Sequence, residues 1–361
     1  MKILLHNEAS GVHANLRDGL RILGHEATLL MTSGQTAQGR PADVITGTDR
    51  AGWVGRVARH IVPLYTYRRF LNYDIISFVM GLSMLPGRAI RYLDIPNLKK
   101  EGAQLSYYGV GCDEVSLLRV REDAKNLRCC ASCIQFDVLG QQCAKTTLSM
   151  REKASSYGQH FDFSVSPSYV YSHCHTFFPN AAHAAIQFPI NLGSLPFLPS
   201  KSKHKPLIVH SPTRRGFKGT DVVMRAMLIL SMRRQDFEFV LVEGLAHQDY
   251  IAAMRDCDIY IDQVLSEHGA GMAALENLAC GKIVISGNGF KNWNEFRFNE
   301  ESPIIPASQD PETLAEMLSE LLDNKHTFPS AAEVGRAFVE RHHDHVTIAE
   351  RFTSLWRTGS S

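Results

Sequence analysis

Between His210 and Met227 the chain reads HSPTRRGFKGTDVVMRAM, which crowds Arg214, Arg215 and Lys218 into one glycine-containing turn. The turn follows the apolar run LIVH and precedes an amphipathic helix that the pattern starts near Gly219 or Thr220. A helix start offers backbone N–H groups and the positive end of a dipole, so it favours anions. Arg215 adds a two-pronged donor and Lys218 a compact cation, a pairing suited to a pyrophosphate. Thr213 stands in the same turn and is grouped with them as a ligand contact. The competing reading is a solvated basic loop.

A second stretch, SEHGAGMAALENLACGKIVISG from Ser266 to Gly287, opens a helix on glycines and carries Glu276 within it. Gly271, with no side chain, lets the backbone approach a ligand closely. In a doubly wound sheet ligands bind beyond the carboxyl ends of the strands, and both stretches lie on that edge. A carboxylate there can accept hydrogen bonds from both hydroxyls of a ribose. A lone solvated glutamate is the plainer alternative. The strand DIYID places Asp258 and Asp262 on one face, where a structural role is expected.

Cysteines form a third group. Cys112, Cys129, Cys130, Cys133 and Cys143 gather in one segment, and Cys130-x-x-Cys133 has a chelating spacing. Cys143 or Cys112 could complete four sulfur ligands around a structural zinc, and an iron–sulfur cluster would draw on the same residues. The alternative is a loop of free thiols. His342, His343 and His345 cannot all face one way on a helix and read as surface, with room for one to face the domain interface.

The elements that position these groups follow from the apolar pattern. KILL, the helical spacing of Leu16, Leu20 and Leu23, and HEATLL make a β-α-β unit, so a parallel sheet is expected. The segment FPINLGSLPFLPSKSKHKP, rich in proline, interrupts the alternation, which then restarts with LIVH, FEFVLVE, DIYID and KIVIS. The expected fold class is α/β with two Rossmann-like doubly wound domains. With 361 residues, two hydrophobic cores are the natural expectation. Hydrophobic residues at 44% and charged residues at 21% belong to a globular chain. A net charge of +1 argues against bulk attraction to nucleic acid. The first apolar run is too short for a signal-peptide core and no later run reaches a membrane-spanning length, so a cytoplasmic protein without a transmembrane segment is expected.

Four stretches in order, SGVHANLRDGLRILGHEATLL, HSPTRRGFKGTDVV, EGLAHQDYIAAMRDCDIYID and HGAGMAALENLACGKIVISG, resemble signatures of group-1 retaining glycosyltransferases with the GT-B fold, in the glycogen-synthase-like superfamily. The resemblance is strong after Lys205 and looser between Gly47 and Lys153. It implies a nucleotide-sugar donor (a UDP- or GDP-sugar), a glycan or glycoconjugate acceptor, and no catalytic divalent metal. Any membrane association is expected to be peripheral, with no transmembrane segment. Arg215 and Lys218 match the residues that hold the donor pyrophosphate. Glu276 matches the ribose ligand, and Gly11 the glycine of the first loop. The family's first glutamate, eight positions before the second, falls on His268, with Glu267 one residue away, so His268 takes the place beside the transferred sugar. The first domain also lacks the histidine often found after its YDIISFVMG strand; His13 could substitute, but reads more readily as a helix-surface residue.

The domains implied are an acceptor-side domain over 1–190, a linker over 191–205, a nucleotide-sugar-binding domain over 206–335, and a C-terminal helix over 336–361 packing back towards the first domain. Transfer into surface polysaccharide is the leading expectation. A non-catalytic sugar-nucleotide-binding scaffold and a GT-B-fold sugar-nucleotide epimerase are the rivals.

Overall fold

The structure is a computed structural model that describes residues 1–31, 42–46, 52–85, 90–113, 115, 128–137, 148–199, 205–266, 270–287 and 302–359. The chain divides into two compact units. The first comprises 1–119, 146–191 and 345–361, and the second 120–145 and 192–344.

In chain order, the first unit contains β1 (Lys2–His6), α1 (Val12–Ile22), β2 (Glu26–Met31), β3 (Val44–Ile45), α2 (Gly52–Thr66), β4 (Ile75–Phe78), α3 (Asp94–Lys100) and β5 (Gln104–Tyr108). Helix α4 (Arg128–Phe136) then belongs to the second unit, and the chain returns to the first with α5 (Leu148–Gly158), β6 (Phe163–Ser166), α6 (Tyr169–Ser172) and β7 (Ala182–Ala185). The second unit resumes with β8 (Leu207–His210), α7 (Arg215–Lys218), α8 (Thr220–Arg233), β9 (Glu238–Leu241), α9 (His247–Ala253) and β10 (Ile259–Ile261). It continues through α10 (Met272–Ala279), β11 (Ile283–Ser286), β12 (Ile305–Pro306), α11 (Pro311–Asp323) and α12 (Phe328–His343). The last helix, α13 (His345–Thr358), lies in the first unit.

The first sheet has the order β3-β2-β1-β4-β5-β6-β7 and all its pairs are parallel. Strands covered on both faces read as continuous apolar runs. Thus β4 and β6 are buried at every residue. Leu4, Ile76, Phe78, Leu105, Phe161 and Phe178 share one core. Helix α13 buries Ile348, Ala349, Phe352 and Trp356, each worth about 1.5–3 kcal/mol when large and fully covered. It approaches α1 at Gly19, where a Cβ would lie 2.3 Å from the His345 carbonyl oxygen.

The second sheet runs β12-β11-β10-β8-β9, again parallel throughout. After β9 forms on one side of β8, the chain crosses back to lay β10 on the other. That reversal opens a crevice at the carboxyl ends of β8 and β10. Its core includes Ile208, Val223, Leu230, Ile259, Ile285, Leu314 and Leu318.

Three expectations are corrected. The cysteine segment groups with the second unit rather than the first, because α4 packs its cysteines against Phe217. The boundary drawn at 336 falls inside α12, which is continuous to His343. The return starts after Asp344, whose extended backbone (ψ 127°) breaks the helix. His343 and His345 are buried rather than on the surface.

Candidate functional site

The turn after β8 is built from its strand outward. His210 ends β8 fully buried, with Nδ1 2.8 Å from the Ile261 carbonyl oxygen and Nε2 3.0 Å from Thr220 Oγ1. A carbonyl only accepts, so Nδ1 carries the proton and Nε2 accepts from the threonine hydroxyl. Burial holds this imidazole neutral, with its pKa lowered to about 4. The ring thereby ties β8, β10 and the first residue of α8 together. Gly219 separates α7 from α8 at φ 74°, and a Cβ there would lie 2.6 Å from Leu265 and Val264 side-chain atoms. Only glycine suits such a position.

Two cations of the turn, Arg215 and Lys218, meet carboxylates. Arg215 donates two hydrogen bonds to Glu243, of 2.8 and 2.5 Å, and they hold the Glu243 carboxyl below the usual carboxylate range. Lys218 pairs with Asp262, a side chain with no exposed surface. Asp262 Oδ1 takes this bond, while Oδ2 faces Gly271, where a Cβ would come within 3.2 Å. The third cation is different: Arg214 lies 4.3 Å over the Phe217 ring and 3.8 Å from Cys133 Sγ, so it serves packing. Thr213 is exposed in the turn. Asp137, following α4, accepts the Gly216 and Phe217 N–H groups at 3.1 and 2.9 Å.

Glu276 is 5% exposed, which sets aside the solvated alternative. Its Oε1 lies 3.1 Å from His247 Nε2. Glu243 lies in the short loop after β9 and His247 opens α9, so this segment meets Arg215 at one end and Glu276 at the other. The basic turn, Glu276 and Gly271, which precedes α10, are thereby brought to one edge of the second sheet.

Gly11 precedes α1 in the first unit at φ 94°. Glu8 accepts the N–H groups of Gly11 and Ala14 at 2.7 and 2.6 Å, capping that helix. His13 is not the surface residue expected. It is fully buried, with Nδ1 2.9 Å from the Asn7 carbonyl oxygen and Nε2 3.3 Å from Ser77 Oγ on β4. Burial lowers its pKa to about 4.

Cys130 and Cys133 lie on α4, buried with Cys129 against Phe217. Among the described residues no group of three His, Cys, Asp or Glu side chains is placed to hold a metal ion, and the cysteines pack as small apolar groups. Cys143, His268 and Glu267 lie outside the described residues.

The two parallel α/β units define the GT-B fold. No protein-family model matches the chain and no curated protein sequence matches it. Solved structures match along its whole length. HepE from Anabaena, in complex with UDP and glucose, superposes with a TM-score of 0.61 at 12% identity, covering 98% of each chain. Sucrose-phosphate synthase from Thermosynechococcus elongatus gives 0.65 at 12% identity over 99% of each chain. A glycosyltransferase from Rickettsia africae gives 0.62 at 14% identity, covering 100% of this chain and 98% of that one.

Proposed function

We propose that this protein transfers a sugar from a nucleoside diphosphate donor, a UDP- or GDP-sugar, to a glycan or glycoconjugate acceptor of surface polysaccharide, with retention of configuration. The observation carrying this reading is the placing of Arg215, Lys218 and Glu276 at one sheet edge, Arg215 and Glu276 tied through Glu243 and His247 of one segment and Lys218 held by Asp262. The UDP and glucose bound to Anabaena HepE support the donor class.

Breaking the glycosidic bond sends its electron pair to the leaving diphosphate. Arg215 and Lys218 stabilise that charge most in the transition state, exchanging their carboxylates for phosphate oxygens. The leaving phosphate takes the acceptor hydroxyl's proton, so no protein nucleophile is required. Glu276, steadied by His247, accepts the ribose hydroxyls. His268 works beside the transferred sugar.

Incubation with UDP- and GDP-sugars in the absence of acceptor tests the reading. Slow release of free sugar is expected. Interconversion of the donor sugar would make the protein an epimerase, and binding without turnover under any acceptor would make it a scaffold.

A further inference from the structure

Asp137 lies far from the basic turn in sequence but against it in space. Its backbone N–H bonds the Cys133 carbonyl oxygen at 2.9 Å, so it stands at the C-terminal end of α4. A carboxylate is unfavourable there, beside the negative pole of its own helix dipole. What offsets that cost belongs to another element. Oδ1 accepts the Gly216 N–H at 3.1 Å and Oδ2 the Phe217 N–H at 2.9 Å, so one carboxylate satisfies two donors at the start of α7.

Helix α7 has only four residues, a single turn that cannot hold its own shape. Its two ends are fixed by different partners. At the far end the Lys218 carbonyl oxygen accepts the Val264 N–H at 3.1 Å, and the Lys218 ammonium pairs with Asp262. At the near end stand Asp137, the Ser132 carbonyl beside Gly216, and the α4 cysteines around Phe217. Arg215 leaves from that near end with a side chain 62% exposed, so packing around the guanidinium does little to aim it. Its direction is set by Glu243 and by the backbone of the turn, which Asp137 holds through the two residues that follow.

We propose that Asp137 is a positioning residue for Arg215: it fixes the first residues of α7 and so sets where the guanidinium meets the donor diphosphate. This inference rests on the donor reading proposed above and adds to it a residue from the α4 segment. Lys218, held from Val264 and Asp262, depends on Asp137 much less.

The test is calorimetric titration with UDP and with GDP of the full chain, as wild type, Asp137→Asn and Asp137→Ala, each made also in Arg215→Ala and Lys218→Ala backgrounds. Asp137→Ala should weaken binding of whichever nucleotide wild type takes by about tenfold, the worth of roughly one charge-assisted hydrogen bond. Asp137→Asn, which keeps one acceptor oxygen, should lose less. The loss should vanish in the Arg215→Ala background and persist in the Lys218→Ala background, the non-additivity of two coupled residues. Damage to the fold alone would give the same loss in both. Circular dichroism should match wild type throughout; if the alanine variant fails to fold, the asparagine variant carries the cycle. Equal losses in both backgrounds, or variants that bind as wild type does, would overturn the inference while the donor reading stands. Tighter binding would overturn it too, making Asp137 a competitor of the diphosphate. A wild type that binds neither nucleotide would remove the donor reading and this inference together.

Discussion

Glu243 engages Nε and Nη2 of Arg215, so the diphosphate proposed to bind there would compete with a carboxylate for that edge of the guanidinium. Glu243→Gln should therefore lower the donor KM by about two- to fivefold, the size of an exposed ion pair. A raised KM would instead make Glu243 a positioning residue for Arg215. Glu276→Gln should act oppositely, raising donor KM with kcat little changed, because ribose contacts are alike in ground and transition states. A selective fall in kcat would remove Glu276 from the ribose. At this scale the sequence made Arg215, Lys218 and Glu276 legible, because a basic turn and a helix start are local signals. Their partners were not legible. Asp137, Glu243 and Asp262 stand 79, 28 and 44 residues from the backbone or side-chain groups they pair with, and only the fold sets those pairings.

The α4 helix shows what an element adds to the turn. Its Ser132 carbonyl oxygen lies 2.6 Å from where a Cβ on Gly216 would stand, and its cysteines cover Phe217. Gly216→Ala should push α4 from the turn and cost about 1–3 kcal/mol in chemical denaturation, the usual penalty for overpacking. Unchanged stability would mean that α4 yields freely. Periodicity located most strands and helices, since continuous apolar runs and 3.6-residue spacing survive without tertiary information. It did not place α4 in the second unit, because cysteine spacing carries no record of packing partners. Nor did it see the break at Asp344, which no glycine or proline announces. His13 was misread for a related reason: an N-terminal helical turn packed on a neighbouring strand looks, in one dimension, like a surface turn.

Over the whole molecule, several histidines are buried as neutral rings. Burial lowers the pKa of His6 to about 3 and those of His13 and His210 to about 4, against an ordinary value of 6.5. Between those values and 6.5 the unfolded chain binds more protons than the folded one, so stability falls as pH drops through that window. Each ring should cost roughly 1 kcal/mol one pH unit below its ordinary value. Denaturant unfolding at neutral and mildly acidic pH checks this, and constant stability would show that the rings protonate within the fold. The central proposal, which concerns the second unit alone, is that Arg215 and Lys218 receive a nucleoside diphosphate. Calorimetric titration with UDP, GDP and their sugars, on wild type and an Arg215→Ala/Lys218→Ala variant, tests that claim most directly. Saturable binding by wild type, weakened on the order of a hundredfold or more in the variant, is the expected result. A wild type that binds none of these ligands, or a variant that binds them equally well, would contradict it.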